Sequence, residues 1–179
     1  MDTSQAGPQP AGAHTVNAFV VVDGADAFMA FLADVFGAVE NLDARSPDMF
    51  AGDGTLIHAE VNIGDSLVMV VDRKTDWPFL PALLQVWVVD PAETLRRATA
   101  RGARVVTEVS PFYGGSDIAR FQDPWGNLWW LFSPAPDGAP DQEWDAESWE
   151  APAEPDPVYT TVVDALRDLK DPRGSSIPL

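Results

Sequence analysis

His58 and Glu60 stand two residues apart in the stretch LIHAEVNI, and residues two apart on a strand share a face. An imidazole beside a carboxylate can form a hydrogen-bonded pair in which the carboxylate raises the imidazole pKa, a basis for acid–base catalysis. The same two residues serve equally well as a solvated structural pair, and the sequence leaves both readings open. A second set is aromatic. Gln85 and Trp87 alternate along LLQVW, and Trp130 and Phe132 alternate along LWWLF. Broad aromatic walls carrying one or two polar groups suit a flat organic ligand, through stacking and burial of area. Trp77, Phe79 and the loop residues Phe112 and Tyr113 extend such a wall, while Trp129 faces away from Trp130 and reads as core. The competing reading makes all these rings core. Arg120, on the stretch IARFQ, is placed to hold a carboxylate, either Asp123 or one belonging to a ligand.

Other chemistries are excluded by what the chain lacks. It has no cysteine, so disulfides, thiolate metal sites and a cysteine nucleophile are out. The Gly-Asp-Gly at 52–54 and the Gly-Gly at 114–115 lack the strand-to-helix context of a phosphate loop, and no serine nucleophile motif is present. A net charge of −17 opposes nucleic-acid binding, which needs a basic stripe. That charge is uneven: Thr15 to Pro134 holds 16 acidic and 8 basic residues, whereas the much shorter Ala135 to Leu179 holds 11 and 3. The acidic tail reads either as a solubilising segment or as bait for a cationic ligand or partner. The opening MDTSQAGPQPAGAH has no basic start and no apolar stretch, so no signal peptide is expected. The longest apolar runs are strand-sized, which predicts no membrane span and a cytoplasmic protein.

The elements that must position these residues come in two similar sets. Val16–Val22 reads as a strand, Asp23 as a helix N-cap with Asp26 in the first turn, and Phe28, Phe31, Leu32, Val35 and Phe36 as a helical stripe closed by Gly37. After a variable stretch, Ile57, Ala59, Val61 and Ile63 alternate with polar neighbours, Gly64-Asp65 turns the chain, and Ser66–Val71 returns. The pattern then restarts with a strand at Leu83–Val89. Asp90, Pro91 and Glu93 open a helix as a capping box, and Gly102 closes it. Strands follow at Val105–Val109, Ile118–Gln122 and Leu128–Phe132. Equivalent caps lie 67 and 65 residues apart, the mark of a duplicated unit.

With 179 residues, 46% of them hydrophobic, the chain suits one well-buried α+β domain. Residues 1–14, including His14, are expected to be disordered and inert. The domain spans 15–134, with βαβββ modules at 15–73 and 82–134, and 135–155 is an acidic Pro-rich linker. A C-terminal docking helix at 156–171 carries Tyr159, Val162, Val163, Leu166 and Leu169 on one face, for its own domain or a partner subunit.

The segments VVVDGADAFMAFLADVFGA, IHAEVNIGDSLVMVVD, VWVVDPAETLRRATARGARVV and ARFQDPWGNLWWL resemble the vicinal oxygen chelate superfamily of glyoxalases, bleomycin-resistance proteins and dioxygenases. Within it they are most similar to bleomycin-resistance and PhnB-like members. The resemblance implies two tandem βαβββ modules forming a curved, cup-like mixed sheet with helices outside, commonly in a homodimer. It also implies, for the enzymes, a divalent metal on inner strands, and for the resistance proteins, binding of a drug without metal. The implied metal positions fall at or near Val16, at or near Leu83 and on Trp130, none of which is a metal-binding side chain. Metal and other cofactors are therefore not expected. The leading expectation is metal-independent binding of an aromatic or polycyclic small molecule, as in antibiotic resistance or sequestration. The alternative is a glyoxalase-like lyase, isomerase or cyclase working through His58 and Glu60.

Overall fold

The computed structural model describes residues 13–112, 115–135 and 155–174. Tyr113, the N-terminal residues 1–12 and the acidic stretch 136–154 fall outside the described residues. The chain divides into two compact units, one up to Leu80 and one from Pro81.

The first unit runs β1 (Ala18–Val22), α1 (Ala25–Phe36), β2 (Val39–Glu40), a 3-10 turn (Leu42–Ala44), β3 (Ser46–Pro47), β4 (Leu56–Ile63) and β5 (Ser66–Asp72). Its sheet has the order β1-β5-β4-β2, with β3 also paired to β4; β1 and β5 are parallel and β4 and β5 form a hairpin. Helix α1 contacts β1, β4 and β5. It forms because Phe28, Phe31, Leu32 and Val35 fall on one face, all buried, and Gly37 ends it at φ 69 with its N–H on the Ala33 carbonyl. The strand residues under the helix are small or branched: Val20, Val22, Ala59, Val61, Val68 and Val70, all buried.

The helix start departs from the sequence reading. Gly24, not Asp23, occupies the cap position, at φ 94. The capping carboxylate is Asp72, which lies opposite Val22 in the β1–β5 register. Its Oδ1 accepts the Gly24 and Ala25 N–H groups at 3.1 and 2.7 Å, and its Oδ2 accepts Leu56 N–H at 2.6 Å. A carboxylate fixed by a neighbouring strand thus satisfies donors that a local cap would otherwise take. His14 is also not idle: its ring donates to the Asp65 carbonyl at 2.8 Å, tying residues just before β1 to the β4–β5 turn.

The second unit repeats the plan with β6 (Leu83–Trp87), α2 (Pro91–Ala100), β7 (Arg104–Pro111), β8 (Asp117–Gln122) and β9 (Leu128–Phe132), then adds α3 (Pro157–Arg167). Its sheet order, β6-β9-β8-β7, matches the first, again with first and last strands parallel. The α+β class and the duplication read from the sequence are therefore present as two mixed sheets, each with a helix on one face. Asp90 caps α2 by accepting Glu93 N–H at 3.0 Å. Only half of the capping box forms, because the Glu93 carboxylate turns to Arg96 and Arg97 at 2.7 and 2.9 Å. Among the described residues, no helix is long and apolar enough to cross a membrane.

Candidate functional site

The face opposite α1 leaves side chains partly exposed in the first unit, whereas opposite α2 Gln85 and Trp87 are exposed and Thr107, Ile118, Arg120 and Phe132 are buried. In the first, β4 puts His58, Glu60 and Asn62 on that face, with Met69 beside Glu60 and Phe19 beside Met69. His58 Nε2 lies 3.2 Å from Glu60 Oε1, both side chains being about a quarter to a third exposed. Asn41 Nδ2 donates to Glu60 Oε2 at 3.0 Å, so the carboxylate is held from both sides and orients the imidazole. Such a pair can move a proton, and equally can simply tie β4 to the turn before β3. Arg73 Nε donates to the Trp77 backbone carbonyl at 3.2 Å, and its guanidinium lies 5.7 Å from the Phe79 ring centroid.

In the second unit, register fixes which residues share the face opposite α2. Gln85 lies opposite Trp130 and Trp87 opposite Phe132, while Trp130 and Phe132 lie opposite Arg120 and Ile118, and Arg120 opposite Thr107. Three rings form a chain there: Phe132 is 5.6 Å from Trp87 and 5.6 Å from Phe112, in tilted and edge-on geometries. Trp87 is 64% exposed, so this wall is open on the edge strand. Trp129, one residue from Trp130, points the other way. It is fully buried, stacks on Phe121 at 6.1 Å and donates its Nε1–H to Asp123 at 2.9 Å.

That bond decides what Arg120 does not do. Both Asp123 oxygens are taken, by the Trp125 and Asn127 backbone N–H groups, the Asn127 amide and Trp129, each at 2.9 Å. Burial pushes the Asp123 carboxyl up from its usual value, and these four donors oppose that shift. Arg120 projects to the opposite face, and no described carboxylate pairs with it. Its guanidinium lies 4.2 Å from the Trp130 ring centroid, and its Nη1 donates to Thr107 Oγ1 at 3.2 Å and to the Val158 carbonyl at 2.5 Å. Desolvation lowers the Arg120 pKa, and the charge of Asp156 partly restores it. Two buried donors, Arg120 Nε and Trp130 Nε1, have no acceptor among the described residues.

Helix α3 reaches Arg120 through the Val158 carbonyl, a docking site that no pattern in the chain identifies. The helix lies against β7, with Asp156 capping Val158 N–H at 2.7 Å and Thr161 Oγ1 bonded to Thr107 Oγ1 at 2.7 Å. Its buried residues are Val162 and Ala165, whereas Tyr159 and Leu166, expected in the docking stripe, are 64% and 45% exposed. The helix thus meets the sheet through Val162, the small Ala165 and the Thr161–Thr107 bond rather than through Tyr159 and Leu166.

A divalent metal does not fit these residues. Val16 precedes β1, Leu83 opens β6, and Trp130 stands where Arg120 already places a positive charge. His58 and Glu60 offer two donors, and among the described residues no group of three histidine, aspartate or glutamate side chains gathers to hold an ion.

Residues 13–131 match the family model described as Glyoxalase/Bleomycin resistance protein/Dioxygenase superfamily. Among solved structures, the chain is similar to TioX from Micromonospora sp. ML1, at 26% identity over 68% of this chain and 96% of that one, with a TM-score of 0.52. The PhnB protein from Bacillus cereus matches at 19% identity over 68% and 100% of the two chains, with a TM-score of 0.55. A glyoxalase/bleomycin resistance protein/dioxygenase family enzyme from Burkholderia phytofirmans PsJN matches at 19% identity over 65% and 95%, with a TM-score of 0.53. The last two likenesses speak to the fold alone. No curated protein sequence matches the chain.

Proposed function

This chain belongs to the Glyoxalase/Bleomycin resistance protein/Dioxygenase superfamily, and from that premise we propose that it binds an aromatic or polycyclic small molecule without a metal, for sequestration or antibiotic resistance. The observation that carries this reading is the aromatic wall on the face of the second sheet opposite α2. Trp87 and Phe132 stand 5.6 Å apart there, Gln85 is exposed beside them, and Trp130 lies in the same face under Arg120. A wall of this kind stacks a planar ligand, and Gln85 supplies a donor and an acceptor to orient it. Phe112, just after β7, belongs to the same reading, as does its chain neighbour Tyr113 by sequence. The protein works in the cytoplasm as a homodimer in this proposal, and sedimentation at micromolar concentration checks the assembly.

The His58–Glu60 pair at 3.2 Å supports a second reading, an acid–base lyase, isomerase or cyclase. One sample separates the two. Saturable quenching of tryptophan fluorescence by planar aromatic compounds, without turnover and without a stoichiometric divalent ion by elemental analysis, supports the binder. Turnover lost in His58→Ala, or one tightly held ion per chain, would replace it with the enzyme.

A further inference from the structure

Arg120 is 4% exposed, carries a charge, and meets no carboxylate among the described residues. Its Nε and the neighbouring Trp130 Nε1 are buried donors without acceptors, on one face and joined by a guanidinium–ring contact of 4.2 Å. Buried donors are seldom left unpaired in folded proteins, and buried cations seldom lack an anion. What α3 brings to them is a partial imitation of an anionic group. It offers the Val158 carbonyl at 2.5 Å from Nη1, with the Asp156 carboxylate acting only through its field. A carbonyl carries no charge, and it leaves Nε and Trp130 Nε1 unsatisfied.

We infer that Arg120 and Trp130 form an oxyanion-accepting subsite for an aromatic carboxylate, and that helix α3 competes with this ligand for it. The inference rests on the aromatic-binding reading and names the ligand class for the same face. The Nε–H and Nη2–H of Arg120 point to one side and match the two oxygens of a carboxylate, which keeps further lone pairs for Trp130 Nε1–H. Its aromatic part lies toward Phe132 and the exposed Trp87. Because α3 now covers Arg120, the carboxylate enters only as the first turn of α3 moves away, so binding and helix release are one equilibrium. The net charge of −17 does not oppose this at contact range. Exposed charges are screened beyond roughly 8 Å at physiological salt, whereas a desolvated guanidinium acts directly.

The test uses the full chain and two probes that differ only in charge, naphthoate and naphthamide, followed by tryptophan quenching. Naphthoate is expected to bind at least about tenfold more tightly than naphthamide, a comparison that needs no variant. Arg120→Gln should bring the two probes together, and Val162→Asp, which places a charge in the α3 interface, should tighten naphthoate. Hydrogen exchange across residues 157–167 should rise when naphthoate saturates the protein. Equal binding of both probes, weakened for both by Trp130→Ala, would overturn the oxyanion subsite and leave the aromatic reading standing. Binding of neither probe, in the parent chain or in Val162→Asp, would overturn both. Tight naphthoate binding with unchanged or slower exchange in α3 would overturn the competition.

Discussion

The guanidinium carbon of Arg120 sits 4.2 Å from the centroid of the Trp130 ring, and the two side chains come from directly opposed positions on β8 and β9. An arginine at this register point, bonded to no carboxylate among the described residues, is an unusual way to fill a sheet surface. Replacing a buried, incompletely satisfied charge with an apolar chain of similar length is often neutral or stabilising. Arg120→Met should therefore leave the denaturation midpoint unchanged or raise stability by about 1 kcal/mol, while hydrogen exchange in α3 increases because the Val158 latch is gone. A loss of several kcal/mol would show that Arg120 is a structural keystone rather than a functional group.

Trp129 and Trp130 are adjacent in sequence and opposite in environment. Trp129→Ala removes a fully buried ring and leaves Asp123 with one donor fewer, so it should cost roughly 3–5 kcal/mol of stability. Trp130→Ala should stay folded with a smaller loss and weaken binding of planar aromatic probes about tenfold, equivalent to about 1.4 kcal/mol. Chemical denaturation and a fluorescence titration on both variants decide it, and equal destabilisation with unchanged affinity would make Trp130 core.

Asp72 joins the start of α1 to the start of β4 through three backbone N–H groups. Asp72→Ala orphans all three in a buried setting and should cost roughly 3 kcal/mol or more, since each unsatisfied donor costs about 1–3 kcal/mol. Asp72→Asn keeps one accepting oxygen and should fall between. If Asp23→Ala proved the more damaging of the two alanine changes by denaturant midpoint, the cap would have been assigned to the wrong residue.

Asp48 accepts Lys74 Nζ at 2.8 Å and the N–H groups of Phe50 and Ala51 at 2.9 and 3.0 Å. These bonds, Lys74 first, lower its carboxyl to about 2. A carboxyl depressed in the folded state contributes stability above its unfolded value, near 3.9, and loses it as pH falls through the folded value. The gap in stability between the parent chain and Asp48→Asn should thus be constant near neutrality and close as pH approaches about 2. A carboxyl midpoint near 4 by NMR titration would remove this pair from the account.

The sequence by itself determined the duplicated architecture and the faces of its strands. Period-two alternation in IHAEVNI and LWWLF is a local property of the chain, so it told which side of each strand Ala59, Val61 and Trp129 would take, and Gly37 and Asp90 marked helix ends through bonds a few residues long. Tertiary structure alone decided matters in which several partners were locally equivalent. Asp23 and Asp72 were both carboxylates able to cap α1, and the parallel pairing of β1 with β5 gave the role to Asp72. Asp123 and a ligand were both possible partners for Arg120. The choice turned on which sheet face each residue takes, and Trp129, Asn127 and two backbone N–H groups filled Asp123 from the other side. The docking face of α3 was the least legible of all. A short amphipathic helix encodes an apolar stripe but not its target, and here a hydroxyl pair between Thr161 and Thr107 and the carbonyl of Val158 fixed it over Arg120, contacts between residues 54 and 38 positions apart in the chain.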